Sequence, residues 1–359
     1  MEVSSDKRIF NNLQALRGIA ALLVCAFHFR YLINETWSEI LFSNGQIGVQ
    51  VFFMISGFIM VHTTSRIKGN YNQQALKFFV NRLIRIVPLY YLCTFIYIAD
   101  DINDGYLDTH GTTLLNSLLF IFSPAGLTAG KIFSPSLEVG WSLNYEMMFY
   151  LIFTLSVFFG IHKMRFLYIW FIATVFVIPI VLIGKIPSHH TIVSDYPFSY
   201  LNIISNPILL HFLFGISLAI IVPKLKFTRI SCIVLLVVAF ILFLIYMMGF
   251  TGLPQNVWFD LIFCGFLVFS ILINDYHTKG FQFPAFLDKF GNMSYSFYLL
   301  HPIILGYLPL LISVATFLSD LNGISLFVFA IALTIFCSWI FYETIEVKLT
   351  RMLRRIVKT

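Results

Sequence analysis

The sequence predicts an all-α integral membrane protein: about ten transmembrane helices plus a short re-entrant or interfacial segment, with both termini cytoplasmic. Three observations predict it. Of 359 residues, 59% are hydrophobic and only 11% are charged, with a mean hydropathy of +0.87, whereas an ordinary soluble domain is roughly one quarter charged. Apolar runs long enough to cross a hydrocarbon core of about 30 Å recur from Leu13 to Ile345 without a long polar interval. Basic residues flank these runs and alternate in number from one side to the other, which is the signature of membrane orientation.

The runs lie near 13–33, 46–63, 86–99, 139–160, 166–184, 200–222, 230–250, 256–274, 294–317 and 323–345. The third is short and is expected to extend upstream through the helix that carries Arg82 and Arg85. The run Leu114 to Phe122 is too short to span and is bracketed by acidic residues and Ser-Pro pairs. It reads as the re-entrant or interfacial piece. With the N-terminus in the cytoplasm, nineteen of the 23 Lys and Arg fall on the inner side, among them Lys7, Arg8, Arg66, Lys68, Lys279 and the C-terminal bases. Arg30, Lys131 and Lys185 fall outside, together with Asp100, Asp101, Asp104, Asp108, Glu138 and Asp195. A wrong span count would scramble that alternation.

These features also exclude function classes. The net charge of +6 is spread along span ends instead of forming one stripe, so nucleic acid is not expected as a partner. Five cysteines all lie in apolar runs without metal-ligand spacing, so neither a metal site nor a disulfide framework is expected. No signal peptide is expected either: the first run is too long for one and no small-residue cleavage site follows it. The polar residues of the first half have no counterpart set in the second, which weakens an inverted-repeat transporter. The chain divides into a membrane domain, 1–345, and a basic amphipathic cytoplasmic tail, 346–359, with Met352, Leu353, Ile356 and Val357 among the bases.

Within the spans, a few polar residues stand out. Arg17 and His28 are eleven residues apart, about three helical turns, so they share one face roughly 16 Å apart along the axis. Ionisable residues in a lipid-spanning helix mark a functional lining by default. An imidazole there suits a general base that takes a proton from a hydroxyl; its competing reading is a packing hydrogen bond. Glu146, in GWSLNYEMMFY, comes to the depth of His28 when residues are counted from each outer end, with Ser142 one turn away and Trp141 at the interface. Its competing reading is a helix-pinning ion pair. Arg82 and Arg85 neighbour each other on a helix surface and form either a phosphate clamp or ordinary basic flanking. In GVQVFFMISGF, Gly48, Ser56 and Gly57 permit close approach by a helix or a ligand. His301 stands two turns after Ser294 and just before Pro302. Glu343, at the inner end of the last span, is expected to snorkel or pair with a basic loop.

Taken together, LQALRGIAALLVCAFH, GVQVFFMISGF, FFVNRLIRIVPLYY, WSLNYEMMFY and SYSFYLLHP resemble, in order, the acyltransferase 3 family of membrane O-acyltransferases that modify surface polysaccharides. The resemblance runs from residue 13 to about 345, with YETIE only an approximate match. It implies a ten-helix domain, an acyl-CoA donor (acetyl-CoA above all) entering from the cytoplasm, and a polysaccharide or lipid-linked oligosaccharide acceptor reached from the other side. It implies His28 as catalytic base with Arg17 as motif partner, and Arg82 and Arg85 on the CoA phosphates. The chain is similar to compact exopolysaccharide or O-antigen acetyltransferases without an appended hydrolase-like domain, which places it in the bacterial inner membrane. Beside this, Glu146 is expected to orient His28 and Ser56 to bind the donor or stabilise the oxyanion. His301, Trp141 and Ser142 are expected to line the acceptor path. The alternative is a transporter or exporter of a glycan or acylated metabolite, with the same residues lining a path.

Overall fold

The apolar runs fold as helices whose ends coincide with cap and turn residues. The computed structural model describes residues 10–65, 69–102, 105–122, 135–186, 200–254, 256–277, 281–315, 318 and 320–358. Lys7, Arg8, Arg66, Lys68, Asp104, Lys131, Asp195 and Lys279, used in the charge reading, lie outside the described residues. In chain order the helices are α1 (Asn11–Phe29), α2 (Thr36–Phe42), α3 (Gly48–Thr64), α4 (Tyr71–Tyr97), α5 (Ala99–Ile102), α6 (Tyr106–Leu118), α7 (Gly140–Phe158), α8 (Lys163–Phe171), α9 (Ile178–Ile183), α10 (Leu201–Ile204), α11 (Leu210–Ile221), α12 (Arg229–Met247), α13 (Val257–His277), α14 (Ala285–Asn292), α15 (Ser294–Val314), α16 (Gly323–Phe341) and α17 (Val347–Lys358). No strand occurs among the described residues.

Nine helical segments among the described residues are long and apolar enough to cross a membrane. They coincide with nine of the ten expected spans. The tenth is α7, 19 residues long but carrying Ser142, Asn144 and Glu146. These polar groups are tolerable because α7 packs on α4 and α3, away from lipid. The short third run does extend upstream: α4 is one helix of 27 residues, capped at its start by the Asn70 side chain, which accepts from the Gln73 N–H. The run Leu114 to Phe122 is, as expected, not among the candidate spans. Its first half completes the 13-residue α6, which begins upstream at Tyr106 and ends at a turn where Phe120 has φ of +56°. The helix is pinned to α4 by Tyr90 and Tyr91, whose hydroxyls meet Ser117 Oγ at 2.6 Å and the Leu118 carbonyl at 2.7 Å.

Burial follows a membrane solvent. Outward faces of α12 and α16 are apolar and exposed (Ile230, Val234, Val237, Val328, Phe336) where a soluble bundle would be polar. The chain is therefore a multi-pass membrane protein. The interior is built around α1, α3, α4, α7, α11 and α15. The α3–α11 crossing is closed by Gly57 and Gly215: a Cβ at Gly57 would run into the Phe212 carbonyl oxygen, and one at Gly215 into that of Met54. Small residues thus bring two backbones into contact, as GVQVFFMISGF leads one to expect, and that contact holds Ser56 in place.

Candidate active site

The position of Arg17 is fixed from the start of α1. The Asp275 carboxylate, from the end of α13, accepts from the Leu13 and Asn12 N–H groups at 3.1 and 3.4 Å, capping two donors that a helix start leaves unpaired. The Asn12 side chain bonds to the Phe281 carbonyl and the Phe283 N–H. One turn on, Gln14 bridges outward: its Nε2 donates to Asn292 at 3.0 Å and its Oε1 accepts from Arg17 at 3.0 Å. A Cβ at Gly291 would meet the Gln14 carbonyl oxygen, so α14 lies directly against this turn.

Arg17 opens into a cavity of about 430 Å³ with Arg82 and Arg85 from α4, Ser56 from α3, Glu146 and Tyr150 from α7, and Ser294 from α15 on its walls. The rest of its lining is largely apolar, including Leu13, Val49, Phe52 and Ile59. Ser56 Oγ donates to Glu146 Oε1 at 2.9 Å, and the Tyr150 hydroxyl donates to the same oxygen. The Arg82 guanidinium lies over the rings of Phe78 and Tyr150, 5.2 and 5.3 Å from their centroids. Among the described residues, Arg30–Glu39 (3.0 Å) is the only ion pair within 4.0 Å. The three cavity arginines are therefore not locked to carboxylates.

A second cavity of about 690 Å³ shares Gln14, Arg17, Arg85 and Asn292 with the first and is open toward the C-terminal helix. Arg351, Arg354 and Arg355 line it at the i, i+3, i+4 spacing of one face of α17. With Arg17 and Arg85 this makes five arginines against one carboxylate, Glu346. The tail thus contributes a wall to this vestibule. Glu346, not Glu343, is the inward acid: Ser296 Oγ donates to it at 2.5 Å, while Glu343 is exposed. A π-helical turn over Tyr342–Glu346 explains the difference, since one extra residue per turn shifts the face that a 3.6-residue period predicts.

His28 and His301 line neither cavity. His28 Nδ1 lies 2.9 Å from the Val24 carbonyl oxygen and 3.2 Å from His301 Nε2. Between this pair and the arginine cavity stands Tyr298, its ring 5.6 Å from that of His301 and its hydroxyl 2.8 Å from Ser142 Oγ. Both hydroxyls also reach the Val139 carbonyl.

Arg17, Arg82, Arg85, Ser56, Glu146 and Ser142 do converge on one cavity. Of the two α1 residues, Arg17 opens into that cavity, whereas His28 meets His301 of α15 outside it. Glu146 does not orient His28: its partners are Ser56 and Tyr150. Counting from outer ends gives a depth along the helix but not the direction the side chain faces, and Glu146 is turned to Ser56 of α3. The Ser56 hydroxyl is committed to Glu146, and that of Ser142 to Tyr298 and Val139. Trp141 is half-buried edge-on to Tyr145, 6.2 Å between centroids, and lines neither cavity. His301 is wholly buried against His28. Sequence reasoning missed Tyr150, Tyr298 and Glu346; the only signal for the tyrosines is spacing, since Tyr150 is one turn after Glu146 and Tyr298 one turn before His301.

A family model described as an acyltransferase domain matches residues 10–343. The exopolysaccharide production protein ExoZ of Rhizobium meliloti is 38% identical over 119 residues, covering 33% of this chain and 36% of that protein. The O-acetyltransferase OatA of Staphylococcus aureus is 27% identical over 205 residues, covering 54% of this chain and 32% of that protein. The chain thus spans about a third of the length of the curated relatives it matches. No solved structure matches it.

Proposed function

From the premise that this chain belongs to the acyltransferase 3 family, we propose that it is a membrane O-acyltransferase of the bacterial cytoplasmic membrane, moving an acetyl or similar acyl group from cytoplasmic acyl-CoA to a hydroxyl of a cell-envelope polysaccharide or its lipid-linked precursor. The observation that supports the donor half is the junction of the two cavities at Arg17 and Arg85. A wide vestibule with five arginines suits the phosphates of a nucleotide, and the narrower, mostly apolar cavity suits a thioester arm. An extended pantetheine is on the order of a membrane half-thickness, about 15 Å, comparable with the roughly 16 Å from Arg17 to His28 along α1. The names of ExoZ and OatA support the acceptor half.

In this reading His28 is the general base. It takes the proton of the acceptor hydroxyl as that oxygen attacks the thioester carbonyl, and it returns the proton to the departing CoA sulfur. For the reacting groups to meet, the Tyr298 ring must move from between the cavity and the imidazole. Arg17, at the junction of the two cavities, holds the donor where the arm leaves its phosphates. Glu146, fixed by Ser56 and Tyr150, offsets part of the arginine charge where no phosphate is bound.

The test is purified protein in lipid bilayers with radiolabelled acetyl-CoA and envelope glycan from a strain lacking the gene. Acceptor-dependent release of CoA with label on the glycan is expected, and His28→Ala should abolish it at unchanged protein yield. Glycan movement across the bilayer with no CoA release would instead establish the exporter reading, and full activity of His28→Ala would remove the base assignment.

A further inference from the structure

The two contacts at His28 Nδ1 decide where protons sit on both imidazoles. A carbonyl oxygen only accepts, so at 2.9 Å from the Val24 oxygen His28 Nδ1 must carry its hydrogen. His301 Nε2 lies 3.2 Å from that same N–H, so it faces a donor and must be the unprotonated nitrogen of its ring. The His301 proton then belongs on Nδ1. That atom is buried with no hydrogen-bond partner among the described residues. One nitrogen of the four is left with an uncommitted lone pair, His28 Nε2, on the half-buried ring of the pair.

We propose that His301 is a positioning residue for the acyl transfer, accepting from His28 Nδ1–H so that His28 presents Nε2 as the base; this rests on the reading of His28 as the base. His301 therefore touches the base and not the acceptor. It does for His28 what a buried carboxylate does in a hydrolase triad, but without a charge. When Nε2 takes the proton of the acceptor hydroxyl, the Nδ1–H of the resulting imidazolium is shared between the Val24 oxygen and His301 Nε2. The ring cannot turn over, and the proton leaves by Nε2 to the CoA thiolate, giving ester and free CoA. Two elements that are far apart in sequence, α1 and α15, are thereby required at one ångström-scale register.

Two measurements test it. In wild-type protein in lipid bilayers, labelled with [15N]histidine, solid-state NMR reads the tautomer of each of the nine histidines, with His28 assigned by its absence in His28→Asn. A His28 protonated at Nδ1 is expected; one protonated at Nε2 overturns the proposal, whatever the activity. The second measurement is acetyl transfer from acetyl-CoA to envelope glycan by His301→Leu and His301→Gln. Leucine fills the volume without an acceptor, whereas glutamine can place its carbonyl oxygen near the former Nε2. His301→Leu should lower kcat by roughly 10- to 100-fold, a part of the ~10²–10⁴ that a general base contributes, with an unchanged KM for acetyl-CoA. His301→Gln should recover most of it. A His301→Leu kcat within about twofold of wild type overturns the proposal, as does a His301→Gln enzyme no faster than His301→Leu at equal yield. Activity in His28→Ala would remove the base assignment alone and leave the tautomer measurement standing.

Discussion

Arg85→Ala should raise the KM for acetyl-CoA by roughly 10- to 100-fold with little change in kcat. The magnitude follows from where the side chain stands. Arg85 lines both cavities and no carboxylate among the described residues lies within 4.0 Å of it, so its donors face the cavities. A charged hydrogen bond to phosphate contributes about 1.5–3 kcal/mol, and about 1.4 kcal/mol is tenfold in affinity. Arg82 is the internal comparison. It lines only the inner cavity, with its guanidinium held between Phe78 and Tyr150, so Arg82→Ala should lose mainly the stacking, about 0.5–2 kcal/mol of stability, and raise KM less. Arg85→Lys keeps the charge but not the planar fork and should fall between wild type and alanine. The assay is initial rate against acetyl-CoA concentration at fixed glycan, paired with direct titration by CoA. A KM for Arg85→Ala within about twofold of wild type refutes the reasoning, and so does a larger effect at Arg82.

Three further outcomes are expected. Replacing Arg351, Arg354 and Arg355 together by Gln should weaken CoA binding and flatten its dependence on ionic strength, because three of the five vestibule arginines are lost; titration at low and high salt checks this. Tyr298→Phe should cost about 1 kcal/mol of stability, having lost the hydroxyl contacts to Ser142 and Val139. Tyr298→Ala, by removing the ring between cavity and imidazole, should raise acceptor-independent CoA release, measured with a thiol reagent. Gly57→Val should destabilise by at least 1–3 kcal/mol, since its Cβ would strike the Phe212 carbonyl oxygen; a thermal melt in detergent reads it.

The sequence by itself determined the class, nine of the spans by length and apolarity, and the residue set that meets at the arginine cavity. Hydropathy needs only composition, and a shared helix face needs only the 3.6-residue period, so Arg82 with Arg85 was legible. The relatedness of five short motifs made the family legible as well. Which polar residues touch was decided by tertiary structure, because depth and rotation are properties of packed helices. Counting along a helix gives a depth but not a rotation, so Glu146, expected at His28, faces Ser56 and Tyr150 instead, and the inward Glu346 carried no signal across a π-helical turn. The contribution of α17 to the vestibule required the last helix of the chain to fold back on α4. The meeting of His28 with His301 required tertiary structure too: their separation of 273 positions leaves no local trace, and only the packing of α1 on α15 brings two imidazoles within a hydrogen bond.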